Sequence, residues 1–242
     1  MEKFAHLALY MKDRKTNRCY GVANSHVTRF ISGAIYLKEK GNTFHIGKMN
    51  TRTTPVLVEH LDLIEIQEIW SHKLANWYVN NGVPYSVSCF KDSRDVLFEK
   101  EVSKLRTCNY WNREKEFGTI EISRIAKADD HSRVLPNKVG EFLVEHKHGS
   151  FFSPVESGTP VAIWGGTHHN EVEIVGVISG ETNDKAFTVC LFLPEALAAL
   201  ERNHDDKDLA MIVNTRPKKD DILCGTLIMF KTPEKIAPNN LT

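Results

Sequence analysis

Short runs rich in β-branched and aromatic residues recur along the chain, each closed by a polar or glycine-bearing turn. CYGVA, ISGAIYL, TFHIG, TPVLV, LDLIEIQ, YSVSCF, FGTIEI, EFLVEH, TPVAIW, VEIVGVIS and AFTVCLF read as strands. Their spacing of about ten residues is that of a β-sandwich or β-barrel, so the fold class expected is all-β. Within LDLIEIQ the alternation puts Leu63 and Glu65 on one face and Ile64 and Ile66 on the other. One segment breaks the pattern. LPEALAALERNH places Leu193, Leu197 and Leu200 on one face at helical spacing, with Pro194 in the first turn, and predicts a helix near 193–202. IQEIWSHKLANWYVNN (66–81) mixes both periods and reads as helix or loop. The tail TPEKIAPNNLT carries two prolines and reads as a loose end.

Length allows two arrangements. The 242 residues suit one all-β domain or two modules of about 120 residues each. The run NREKE (112–116) and the turn-rich KADDHSRVLPNKVG (127–140) are solvated stretches, and a boundary between modules is expected within 91–112. Lys+Arg and Asp+Glu both number 31, so the formal net charge is zero. Polynucleotide binding draws most of its energy from excess basic charge, and no such partner is expected. No apolar run reaches the length of a membrane span, and MEKFAHLALYMKDRK is too broken for a secretory signal. The expected location is intracellular, in the cytoplasm. Oligomeric state is not legible.

Metal and disulfide chemistry find little footing. The five cysteines (Cys19, Cys89, Cys108, Cys190, Cys224) are odd in number, and no CxxC pair occurs. Most stand in apolar runs (SVSCF, FTVCLFL, DILCGTLIMF), where cysteine acts as a small buried hydrophobe. His146 and His148, and His168 and His169, have no carboxylate or cysteine at a companion spacing and read as polar-loop residues. No metal site and no cofactor are expected.

Three segments carry chemistry. SPVESGTPVAIW (153–164) puts a serine in a tight turn just before a β-run, a geometry that exposes a hydroxyl while aiming backbone N–H groups at one point. In CYGVANSHVTRF (19–30), His26 closes an apolar run. In EHLDLIEIQ (59–67), Asp62 opens a strand. Together these resemble the trypsin-like serine proteases, most nearly their HtrA-type intracellular branch. NSHV is similar to the segment around that family's histidine. DLIEIQ is similar to the strand carrying its aspartate, ESGTPV to its nucleophile turn, and VEIVGVISG to the strand that follows. LPEALAAL is similar to the terminal helix many members carry. The order His26, Asp62, Ser157 is the family order, and the likeness covers roughly residues 15–205 by motif.

The resemblance implies two consecutive six-stranded antiparallel β-barrels with a C-terminal helix. Residues 1–105 would carry His26 and Asp62, and residues 106–242 would carry Ser157. It implies a cofactor-free serine endopeptidase acting on a polypeptide. Ser157 would be the nucleophile, His26 the base and Asp62 the residue that orients the imidazole. The backbone N–H groups of Val155 and Ser157 would form the oxyanion hole. Ile178, Ser179 and Gly180 would pair with an extended substrate, and Phe151 would lie at the base of the specificity pocket. One departure stands out: the family places glycine where this chain has Val155, and a β-branched residue resists the backbone geometry of that turn. The resemblance therefore carries two further readings. One is an inactive protease-like fold acting as a binding module, and the other is a trypsin-like fold repurposed as a cyclic-nucleotide nuclease.

Overall fold

Strands dominate because most apolar runs in this chain alternate with period two or are buried on both faces. The computed structural model describes residues 2–25, 33–39, 42–49, 61–80, 82–100, 104–107, 110–111, 115–116, 119–127, 140–146, 157–164, 170–213 and 216–231. The fold is mostly β, with three helices among the described residues.

The first sheet has eight strands. They are β1 (Glu2–His6), β2 (Leu9–Asp13), β3 (Cys19–Asn24), β4 (Ala34–Glu39), β5 (Asn42–Met49), β6 (Leu61–Ile66), β18 (Leu209–Met211) and β20 (Leu227–Lys231). Their order is β1-β20-β4-β5-β6-β3-β2-β18. Only Leu7 and Ala8 separate β1 from β2, yet these strands lie at opposite sides of the sheet order. The sheet must therefore curl to bring them together. The N–H of Leu7 reaches the Thr226 carbonyl (3.0 Å) while that of Ala8 reaches Val22 (2.7 Å), so the strand bends between two neighbours at this point.

The second sheet runs β15-β10-β13-β14-β17-β16-β9-β8. Its strands are β8 (Trp77–Asn80), β9 (Val83–Cys89), β10 (Lys104–Thr107), β13 (Thr119–Lys127), β14 (Glu141–His146), β15 (Pro160–Trp164), β16 (Glu171–Glu181) and β17 (Phe187–Phe192). β15 also pairs with β16, so β15, β10, β13, β14, β17 and β16 hydrogen-bond around a ring. Two minor pairs complete the strands: β7 (Leu74–Ala75) with β19 (Ile222–Leu223), and β11 (Tyr110–Trp111) with β12 (Lys115–Glu116).

Sheet membership crosses the division expected near residue 105. β8 and β9 join the later strands through a parallel pairing of β9 with β16, whereas β18 and β20 join the earliest ones. The expected strand runs mostly lie on strands; TPVLV falls outside the described residues, as does the tail TPEKIAPNNLT. Segment 66–81 resolves into the short helix α1 (Glu68–Ser71) followed by β7 and β8. Helix α2 (Arg94–Glu99) lies within the stretch 91–112. The expected C-terminal helix is α3 (Leu193–Asn203), with Pro194 in its first turn and Leu193, Ala196 and Leu200 buried.

Both faces of several strands are buried, and each face meets a different core. Along β6, Leu61 and Leu63 pack with α3 and with Val172 and Ile174 of β16, whereas Ile64 and Ile66 pack with Ile35, Ile46 and Phe230 inside the curl of the first sheet. A third cluster, including Phe90, Phe142, Val175 and Phe192, fills the second sheet. The core around α3 draws on both sheets and joins them. Asn76, between β7 and β8, adds a polar tie: its Oδ1 accepts the Tyr10 N–H (2.8 Å), and its Nδ2 donates to the carbonyls of Tyr10 (2.8 Å) and Ile212 (2.9 Å).

Candidate active site

The Ser157 turn lies where the two sheets meet. Ser157 and Gly158 form the tight turn that leads into β15. Gly158 has φ +88°, a left-handed conformation that suits glycine. The turn is fixed from two sides. On one side, the N–H of His6, at the end of β1, donates to the Ser157 carbonyl (3.1 Å), and a Cβ on Gly158 would stand 2.3 Å from the His6 carbonyl oxygen. On the other, the Gly158 N–H donates to the Ile178 carbonyl (2.9 Å), and the Ile178 N–H donates to the Thr159 carbonyl (2.9 Å).

The Ile178 carbonyl accepts a second donor. Asn24, the last residue of β3, is fully buried and its Nδ2 donates to the same oxygen at 2.9 Å. A carbonyl oxygen has two lone pairs, so one atom can hold both donors. Asn24 stands two residues before His26. In the register of β3 with β6, Asn24 faces Leu61 and Ala23 faces Asp62. The end of β3 thus lies beside the start of β6 and is tied through the Ile178 carbonyl to the turn before β15.

Among the expected site residues, Ser157 is only 1% exposed. Asp62 is half-buried at the start of β6, and Ser25, just before His26, is fully buried. Ile178 is buried, and Ser179 and Gly180 are half-buried. Ser179 forms a bulge where the register of β16 against β17 shifts, with Ile178 opposite Cys190 and Gly180 opposite Val189. His26, Val155 and Phe151 lie outside the described residues.

His6 is the residue at this place that the sequence reading passed over. Its ring is buried, and Nδ1–H donates to the Gly225 carbonyl at 2.6 Å, which fixes the tautomer. Burial holds its pKa down at about 4 against the opposing effect of that hydrogen bond. The Gly225 N–H in turn donates to the Leu7 carbonyl (2.6 Å), so the turn before β20 braces the bend that braces Ser157. A histidine inside the otherwise apolar run FAHLALY is the available sequence signal.

Cys19, Cys190 and Cys224 are buried free thiols, in keeping with their apolar runs. Cys89 is half-buried, and desolvation pushes it up to about 11. Cys108 lies outside the described residues. His146 ends β14 rather than lying in a loop, while His148, His168 and His169 fall outside the described residues. Among the described residues no group of three or more His, Cys, Asp or Glu is placed to hold a metal ion, and no helix is long and apolar enough to cross a membrane.

The chain matches no protein-family model and no curated protein.

Proposed function

We propose that the chain is a serine endopeptidase of trypsin-like architecture, built on two six-stranded barrels and acting through His26, Asp62 and Ser157. The observation that carries this reading is the shared carbonyl of Ile178. It receives the N–H beside Ser157 and the side chain of Asn24, two residues before His26. Ala23, next to Asn24, faces Asp62 across the sheet. In this reading the end of β3, the start of β6 and the turn before β15 would each supply one member of the catalytic combination. The ring of six strands in the second sheet and the curl of the first support the two-barrel architecture.

The chemistry follows from the residue types. The Ser157 hydroxyl becomes an effective nucleophile when His26 takes its proton as it attacks the scissile carbonyl. Asp62 orients the imidazole and stabilises the imidazolium that forms. The N–H groups of Val155 and Ser157 receive the oxyanion. His26 then returns the proton to the leaving amine, and water repeats the sequence on the acyl-enzyme. Ile178 spends its N–H on Thr159 and its carbonyl on Gly158 and Asn24, so an extended polypeptide would join as a strand at Ser179 and Gly180. The substrate is a polypeptide, and the location proposed is cytoplasmic.

A second reading is a protease-like fold that holds a polypeptide without cutting it. The burial of Ser157 favours it, because a residue 1% exposed presents little of itself to a substrate. A fluorophosphonate probe separates the two. Label mapped to Ser157, and lost in Ser157→Ala, is the result expected of the endopeptidase. A folded chain that takes no label and cleaves no polypeptide refutes it and leaves the binding reading.

A further inference from the structure

The geometry points to Asn24 as a positioning residue, which locks the His26 segment to the Ser157 turn through the Ile178 carbonyl. This inference rests on the endopeptidase reading. Asn24 is fully buried at the end of a strand whose neighbouring residues, Val22 and Ala23, are also fully buried. Its Nδ2 donates to Ile178 (2.9 Å), while its Oδ1 is buried and has no hydrogen-bond partner among the described residues. A buried amide oxygen without a partner lowers stability. The Ile178 carbonyl would keep its bond from the Gly158 N–H if Asn24 were absent. Satisfaction of that carbonyl therefore does not explain the asparagine.

The bond does set a distance between two sheets. β3 belongs to the first sheet and β16 to the second, and this contact joins the end of one to the middle of the other. The backbone leaving Asn24 leads directly to His26, and the Gly158 N–H that shares the oxygen adjoins Ser157. A shift between the sheets would move the base relative to the nucleophile. Asn24 touches neither substrate nor reacting atoms in this scheme; it acts through the placement of His26. The amide is suited to this because its N–H donor is fixed in direction and uncharged over the whole working pH range.

The test compares the full-length parent, Asn24→Ala and Asn24→Asp by the rate of fluorophosphonate labelling at Ser157 across probe concentration and pH. In Asn24→Ala the saturating rate is expected to fall about 10–10²-fold, the scale of an ångström-sized misplacement. The half-saturating probe concentration should stay within about twofold, because binding energy common to ground and transition states is untouched. Asn24→Asp keeps the shape and adds a signature that mere packing would not. Its neutral carboxyl can donate to Ile178, but its carboxylate cannot. The labelling rate of Asn24→Asp relative to the parent should therefore climb towards one as pH falls. Asn24→Ala labelled at the parent's rate, or an Asp-to-parent ratio flat with pH, overturns the role of Asn24 while leaving the endopeptidase reading intact. A parent that takes no label overturns the endopeptidase reading itself, and the role of Asn24 with it.

Discussion

Replacing Gly158 by alanine tests whether the Ser157 turn depends on its contact with β1. Two separate effects act at this position. The first is conformational: φ is +88°, and a left-handed backbone costs an L-residue other than glycine about 1–2 kcal/mol. The second is steric. The new Cβ would stand 2.3 Å from the His6 carbonyl oxygen, so the turn and β1 must separate by about 1 Å to restore ordinary contact. That separation strains or breaks the bond from the His6 N–H to the Ser157 carbonyl, for about 1 kcal/mol more. The sum is about 2–3 kcal/mol. At about 2–4 °C per kcal/mol for a chain of this size, the melting temperature should fall by about 4–12 °C. Gly82 supplies the control. It too is left-handed, at φ +75°, but a Cβ there meets nothing within 4 Å. Gly82→Ala should show the conformational cost alone. Thermal unfolding of both variants beside the parent isolates the steric part, and Gly158→Ala should also label with fluorophosphonate about 10²-fold more slowly. If the two variants melt together, the packing of His6 against Gly158 does not constrain the turn and the argument fails.

Two other perturbations address the same region. His6 has its folded pKa held near 4 by burial, below the 6.5 of a free histidine, so the unfolded chain binds more protons between those values. Its contribution to stability is complete above pH 6.5 and is lost as pH falls towards 4. Urea unfolding should show about 2 kcal/mol lost between pH 7 and pH 5, and His6→Gln should remove most of that slope. An identical slope in parent and variant would assign the acid sensitivity elsewhere. Val155→Gly should raise turnover or labelling rate by up to about 10²–10³-fold, the worth of one restored oxyanion donor; unchanged turnover in a folded variant would show that valine is no obstacle.

Much of the strand content was legible because burial follows local pattern. The run VEIVGVISG lies within β16, and LPEALAAL lies within α3 with its apolar face inward. What escaped was set by distant partners. FAHLALY and DILCGTLIMF are apolar runs without alternation, because both faces of those strands are buried, and nothing local announces that β1 pairs with β20. The pairing of Glu2 with Lys231 joins residues near opposite ends of the sequence. Segment 66–81 mixed its periods because it contains one turn of helix and two short strands. Of the candidate residues, His26, Asp62 and Ser157 were legible in the sequence as residue types in the order of a family motif. His6 was not, because its role comes from its backbone N–H and carbonyl, which any residue possesses. Asn24 stood inside the motif, yet its bond to Ile178 depends on how the two sheets approach each other.

The distribution of cost in the molecule bears on whether this turn has a function at all. Around Ser157 lie a left-handed glycine pressed against a carbonyl, a buried histidine that resists protonation and a buried asparagine with an unpartnered oxygen. Each is less stable than an ordinary alternative by an amount on the order of 1–3 kcal/mol. A turn that merely connected β14 to β15 could avoid all three with an ordinary loop, since most connections run over the surface where water satisfies them. Here the turn is driven into the junction of two sheets and its serine is left 1% exposed. Stability alone does not favour that arrangement. Such local departures concentrate where a protein trades stability for function, in line with the role proposed for this turn.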